Sequence, residues 1–299
     1  MPVIFLFVDG VGLGKEAESN PFWQFHYRGF NLMSGDQTFS VEADEINNQN
    51  HMFKHVDATL DVKGLPQSGT GQATLFSGEN APKEIGKHFG PYPHSGIKHL
   101  LRDKSLFKKA LQLNKRIQFI NAYPDIFFQK ARERNRWSCT TLMTRSAEIK
   151  LNTAKEVKQG KALTAELTQE AWKKHLNINV PIIFPEEAAE RLLEQTENYD
   201  LLLHEYYLTD KAGHSQNAEK ANQSLSIYDR FLWQLVKHRS SDTTIVLSSD
   251  HGNIEDLSTK THTLNDVPLF CYGRGARHFS EAKSIMDVTP GILKVLGDE

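Results

Sequence analysis

The stretch Thr244-Ile-Val-Leu-Ser-Ser-Asp-His-Gly-Asn253 sets a short apolar run directly before an aspartate and a histidine. Thr244–Ser248 is β-branched, nearly continuous and without polar alternation, which is the pattern of a parallel strand covered on both faces. Asp250 and His251 then fall at the strand's carboxyl end, where open α/β sheets bind their ligands. Three further runs have the same form: Val3–Val8, Ile117–Ala122 and Leu201–Tyr207. Helical patterns lie between them, at His99–Leu113, from Pro185 to about Glu197, and at Ala218–His238. Pro268–Tyr272 reads as one more strand, and Met286–Leu296 as a closing helix interrupted near Pro290. Strands alternating with helices predict an α/β fold, a largely parallel sheet sandwiched by helices.

Residues 125–176 differ from the rest. They hold few strand-like runs, and Gln129–Lys161 carries nine Lys/Arg against three Glu. The expected organisation is a catalytic core of residues 1–124 and 177–299, with 125–176 as an inserted, mainly helical lid. Its basic face, including Arg132, Arg134, Arg136 and Arg145, could be plain solvated surface or could grip an anionic substrate, because a guanidinium pairs with phosphate or carboxylate through two parallel hydrogen bonds.

Composition narrows the function classes. Apolar residues make up 39% and charged residues 24% of 299, ordinary for a globular chain. A formal net charge of -2 gives no bias toward nucleic acid or an anionic membrane. The apolar N-terminus lacks a basic flank and a cleavage site, and no run reaches membrane-spanning length. The expectation is a cytoplasmic enzyme with no nucleic-acid or membrane partner; the motifs below add a small anionic ester as its substrate. Cys139 and Cys271 are far apart and follow no CxxC spacing, so free thiols are expected.

Acids and imidazoles collect after the strands. Asp9 follows the first, Asp210 the third, and Asp250-His251 the fourth. In Asp210-Lys-Ala-Gly-His214 a carboxylate and an imidazole four apart share one face of a helical turn. His262 adds a third imidazole. Oxygen and nitrogen donors without thiolate suit Zn²⁺ or Mn²⁺. Six donors exceed one tetrahedral catalytic site, which needs three protein ligands and an open position, so two divalent ions divide them better. Two ions side by side suit displacement at phosphorus, one at the attacking oxygen and one at the leaving oxygen. The segment Leu65-Pro-Gln-Ser-Gly-Thr-Gly-Gln72 offers a nucleophile, Ser68 or Thr70, at the start of a helix whose N-terminus favours negative charge. Lys87 and His88, in the Gly/Pro-rich loop that follows, are weaker candidates for reaching the substrate.

Together these pieces resemble the alkaline phosphatase superfamily, and within it the cofactor-independent phosphoglycerate mutases and phosphopentomutases. The matching motifs are Val8-Asp9-Gly10-Val-Gly, Ser68-Gly-Thr-Gly-Gln72, Thr209-Asp210-Lys-Ala-Gly-His214, Ser249-Asp250-His251-Gly-Asn253, His262-Thr-Leu-Asn265-Asp-Val-Pro268 and Met286-Asp-Val-Thr-Pro-Gly-Ile-Leu-Lys-Val-Leu-Gly297. The resemblance implies that Asp210, His214 and His262 hold one metal. Asp9, Asp250 and His251 would hold the other, together with the nucleophile oxygen. It also favours Ser68 over Thr70, because the mutase nucleophile stands four positions before a histidine whose place Gln72 takes here. The implied function is phosphoryl transfer through a covalent serine intermediate, ending in hydrolysis of a phosphate, sulfate or phosphonate ester. An intramolecular phosphomutase is the alternative, and a metal-stabilised binding protein the alternative without turnover.

Overall fold

Val3–Val8 forms β1, a fully buried interior strand of the sheet, and its six side chains alternate between two apolar layers. Val3, Phe5 and Phe7 point into one layer, and Ile4, Leu6 and Val8 into the other. That double burial is why the run shows no polar alternation. The coordinates are a computed structural model describing residues 1–298; Glu299, the last residue of the expected core, lies outside the described residues.

The sheet has seven strands: β1, β2 (Ile46–Asn47), β3 (His51–Val56), β4 (Ile117–Phe119), β5 (Leu201–Tyr206), β6 (Thr244–Ser248) and β7 (Val267–Tyr272). Their order is β2-β3-β7-β6-β1-β5-β4. β6, β1, β5 and β4 run parallel. β7 is antiparallel to β6, and β3 and β2 extend that edge by antiparallel pairing. The α/β class with a largely parallel sheet is as expected. The edge pair β2–β3 escaped the sequence reading because His51-Met-Phe-Lys-His-Val56 mixes half-exposed polar residues with buried ones.

The helices Ser68–Ser77, Leu106–Gln112 and Val288–Gly297 cover the first apolar layer, and Arg28–Met33, Pro185–Glu194 and Ala218–His238 the second. Phe76 meets Phe5 and Phe7 edge to face, with ring centroids 6.1 and 5.3 Å away. Such pairs contribute about 1 kcal/mol each beyond area burial. They seat the helix that begins at Ser68 against β1, a packing link with a consequence for the site.

Three local expectations need correction. The helix expected over His99–Leu113 is two, Lys98–Asp103 and Leu106–Gln112. Ser105 starts the second by accepting from Lys108 N, a cap that ends one helix and opens another. Pro290 does not interrupt the closing helix. It sits in the first turn of Val288–Gly297, where a backbone N–H has no intrahelical partner to lose. The strand expected to reach Ala122 stops at Phe119, and Asn121 and Ala122 instead make isolated bridges to Leu163 and Asn152.

Residues 125–176 carry the helices Asp125–Glu133, Cys139–Ser146, Ala154–Lys158 and Glu170–Leu176. Cys139, Met143, Ala147 and Leu151 join the same apolar layer as Phe5 and Phe76. Along 139–151 the segment is therefore part of the core wall. No helix among the described residues is long and apolar enough to cross a membrane.

Candidate metal centre

The carboxyl ends of β1, β5 and β6 converge, and each strand delivers an acid as it leaves the sheet. Asp9 is the first residue after β1 and is held by Asp9 N donating to Tyr206 O at 3.0 Å. Thr209 Oγ1 donates to Asp9 O at 2.5 Å, so the β5 turn is tied to the β1 turn. Gly10 has φ +69, and a Cβ there would meet Asp210 at 2.7 Å. Only glycine both takes this backbone and lets the two acidic loops approach. Asp210 and His214 lie on one face of the helix Leu208–His214, their side chains 3.3 Å apart.

Ser68 opens the helix Ser68–Ser77, and its Oγ lies 3.0 Å from His251 Nε2. His251 Nε2 is in turn 3.4 Å from Asp9 Oδ1 and 3.5 Å from Asp250 Oδ2. His262 Nε2 is 3.3 Å from His214 Nε2 and 3.6 Å from Asp210 Oδ1. The rings of His251 and His262 stack at 3.7 Å, which joins the two groups. Donor atoms within 4.8 Å of one another form two sets: Asp9, Asp250 and His251, and Asp210, His251 and His262. The first is the set the motifs implied. In the second, His251 stands where His214 was expected, although His214 touches both Asp210 and His262.

Tautomers follow from the backbone. His262 Nδ1 faces Pro66 O at 2.7 Å and His214 Nδ1 faces Lys260 O at 2.8 Å, so both must carry their proton on Nδ1 to donate to a carbonyl. Their Nε2 atoms then face each other as bare lone pairs. His251 Nδ1 likewise faces Gly252 O at 3.3 Å, which leaves its Nε2 lone pair toward two carboxylates. Asp9 Oδ1 is buried without a hydrogen-bond partner. Lone pairs aimed at lone pairs are repulsive unless a cation sits among them, and a backbone carbonyl on the far ring nitrogen is the usual support of a metal-bound imidazole. These donors fit divalent cations.

Electrostatics give the same answer. Burial pushes the Asp9 carboxyl well above its ordinary range, with Asp250, Asp210 and Glu205 adding repulsion. Asp250 is raised to about 7, first by burial and then by Asp210. Burial, then His262, lowers His251 to about 3. No Lys or Arg among the described residues pairs with Asp9, Asp210 or Asp250. With His251 so poor a base, Ser68 needs another source of activation, and a cation at this point provides one.

The remaining sequence candidates are placed elsewhere. Thr70 is buried in a structural role: Oγ1 accepts from Phe89 N at 3.1 Å and donates to Gln67 O at 3.2 Å. Arg132, Arg134, Arg136 and Arg145 are all exposed. Arg136 lies over the Tyr92 ring and Arg145 over the Trp137 ring, at 4.9 and 3.8 Å. His88 Nε2 pairs with Val62 O at 3.1 Å, and with Lys87 it borders a hollow that includes Gln67.

Three residues at the centre escaped the sequence reading as site residues. Gln72 Nε2 donates to Asp9 Oδ2 and to Asp250 Oδ2, both at 3.1 Å, and so holds the two carboxylates together. Glu205, buried at the end of β5, accepts from Thr140 Oγ1 at 2.8 Å, and burial followed by Asp250 raises it to about 7. An acid inside an apolar strand run was the available signal. Glu255 is the hub of the loops. It accepts from Gly12 N at 2.9 Å, Asn253 N at 2.7 Å and Asn265 Nδ2 at 3.0 Å, and from the Thr263 hydroxyl. Glu255→Ala should strand four donors and cost about 3–5 kcal/mol, read as a shifted urea midpoint. A loss below 1 kcal/mol would remove Glu255 from this role.

Residues 177–299 match the sequence model of the Metalloenzyme superfamily, a span that includes Asp210, His214, Asp250, His251 and His262. The 2,3-bisphosphoglycerate-independent phosphoglycerate mutase of Thiobacillus denitrificans is 31% identical over 121 residues, 37% of this chain and 24% of the mutase. That of Wolinella succinogenes is 29% identical over 120 residues, 38% and 24% of the two chains. The chain thus spans about a quarter of the length of these curated relatives. Among solved structures, the alkaline phosphatase of the Antarctic bacterium TAB5 superposes with a TM-score of 0.59 at 13% identity, covering 100% of this chain and 98% of the phosphatase. A phosphoglycerate mutase of Leishmania mexicana gives 0.53 at 12%, covering 100% and 95%. At these identities the likeness is one of fold. The resemblance to the alkaline phosphatase superfamily and its phosphoglycerate mutase branch is borne out.

Proposed function

We propose that this alkaline phosphatase-like chain is a two-metal phosphoryl-transfer enzyme that hydrolyses a phosphate ester through a phosphoserine at Ser68. The observation that carries the reading is the set of facing lone pairs, His214 Nε2 against His262 Nε2 and His251 Nε2 against Asp9 Oδ1, with the Ser68 hydroxyl at their edge. Asp9, Asp250 and His251 would hold one cation, and Asp210, His214 and His262 the other, as Zn²⁺ or Mn²⁺. Bound there, the cations supply positive charge that lowers the pKa of an oxygen nucleophile and neutralises phosphoryl oxygens. Ser68 Oγ loses its proton and bonds to phosphorus as the ester P–O bond breaks, and the alcohol departs with a proton. Water then takes the phosphoryl group from Ser68, restoring the hydroxyl and releasing inorganic phosphate. Sulfate or phosphonate esters would present similar tetrahedral anions to the same donors.

A phosphomutase is the second reading, favoured by the names of the curated relatives. A mutase must keep water out while the dephosphorylated substrate turns over. In this chain 139–151 belongs to the core wall, and only the rest of 125–176 is left to serve as a lid. That supports hydrolysis. Products from phosphoglycerate or a sugar phosphate, followed by phosphorus NMR, should be inorganic phosphate; stoichiometric isomer without free phosphate would make the chain a mutase. Elemental analysis should find up to about two ions per chain. Unchanged metal content in an Asp210→Ala/Asp250→Ala variant would defeat the ligand assignment.

A further inference from the structure

The loop after the Ser68 helix doubles back onto that helix's first turn. Thr70 N donates to Phe89 O at 2.9 Å, and Phe89 N donates to Thr70 Oγ1 at 3.1 Å. A Cβ on Gly69 would meet Tyr92 O at 2.3 Å, and one on Gly90 would come within 3.3 Å of Ser68 N. Between this loop and residues 135–137 lies a hollow of about 350 Å³, whose wall at Gly90 is the residue that abuts Ser68. Four aromatic rings border it, Phe89, Tyr92, Trp137 and the imidazole of His94, together with the cationic side chains Lys98 and Arg136. No acidic residue lines it. Arg136 reaches across to the Tyr92 ring at 4.9 Å, so the cation and the flat surface face one space. Nothing in the two-metal mechanism uses these groups.

We propose that this hollow is the leaving-group subsite and that it selects esters of planar, ring-bearing alcohols that carry a further negative charge, such as a ring carboxylate. The inference rests on the phosphoryl-transfer reading. Flat rings stack on flat rings, and a carboxylate reaching Arg136 and Lys98 gains charge-assisted hydrogen bonds with no acid nearby to oppose it. A volume of this size holds one ring system with its substituent. The subsite also gives Arg136 a role that does not require it to reach the metals.

The test compares phenyl phosphate, 4-carboxyphenyl phosphate and glycerol 2-phosphate on the metal-loaded full chain. Aryl esters are intrinsically the more reactive, so the readout is the change in each substrate's kcat/KM on mutation. Arg136→Ala/Lys98→Ala should lower kcat/KM for the carboxyphenyl ester about tenfold or more through KM, and that for phenyl phosphate by less than about twofold. Tyr92→Ala, at an exposed position, should weaken both aryl esters and leave glycerol 2-phosphate unchanged. Binding of 4-carboxybenzylphosphonate, measured by calorimetry, should fall with the same double variant. Equal losses on all three substrates, or no loss on the carboxyphenyl ester, would overturn the subsite. Turnover of none of them by the unmutated chain would instead strike the phosphoryl-transfer reading, and calorimetry would still judge the hollow.

Discussion

Ser68→Ala should lower kcat for a phosphate monoester by at least about a thousandfold while leaving the metal content unchanged, because it removes the bond-forming atom and none of the proposed metal-holding carboxylates or imidazoles. Ser68 Oγ contacts His251 Nε2 at 3.0 Å, whereas Thr70 spends its hydroxyl on Gln67 O and Phe89 N. Thr70→Ala should therefore cost about 1–3 kcal/mol of stability through two lost hydrogen bonds and change kcat only a few-fold. Quenching a reaction with ³²P-labelled substrate in acid should trap label on the unmutated chain and none on Ser68→Ala. An active Ser68→Ala chain beside an inactive Thr70→Ala chain would reverse the assignment of the nucleophile.

The parallel strands were legible because burial on both faces removes polar alternation, and β1 and β6 occupy the spans their apolar runs predict. Acids just beyond those runs were legible for a topological reason: residues leaving parallel strands share one edge. What sequence spacing could not show is which donors come together. His251 and His262 are eleven positions apart and stack, because the loop between them is folded back by the Gly252–Thr263 bridge and by Glu255. Glu255 is hidden in a linear reading for the same reason, since its four partners come from three segments. Gln72 was visible only as a departure from the mutase histidine. The structure gives it a physical task, an uncharged donor shared between Asp9 and Asp250. The basic character of 125–176 was equally plain, but charge along a helix does not say where the side chains point. All four arginines are exposed, two of them lie over aromatic rings, and only Arg136 borders the hollow beside the loop that packs on Ser68.

Without metal, the chain should lose stability as pH rises from about 4 to about 7. An unfolded aspartate titrates near 3.9, whereas buried Asp250 titrates at about 7 and Asp9 is raised as well. Across that window Asp250, Asp9 and Glu205, itself raised to about 7, hold more protons in the folded chain than in the unfolded one, so each step up in pH favours unfolding. These three carboxyls outnumber the buried imidazoles of His251 and His204, lowered to about 3 and about 4, whose opposing effect ends near the ordinary histidine value of about 6.5. The loss from Asp250 is complete once it has ionised in the fold. Metal reverses the sign, since bound donors must be deprotonated and affinity grows with pH. Thermal unfolding with chelator and with added Zn²⁺ or Mn²⁺ should thus differ little at pH 5 and by on the order of 10 °C at pH 8. Asp250→Asn sharpens the expectation. It removes the buried charge, and its one oxygen can still accept from Gln72 Nε2, at the loss of the longer bond of 3.3 Å that Gly10 N donates to Asp250 Oδ1. The variant should therefore be more stable than the unmutated chain in chelator at pH 8, yet gain far less from metal. A gap between metal and chelator that is equal at both pH values would mean that these carboxylates are not the groups that hold the ions. A variant less stable than the unmutated chain in chelator would mean that Asp250 is stabilised in the fold by something other than a bound cation.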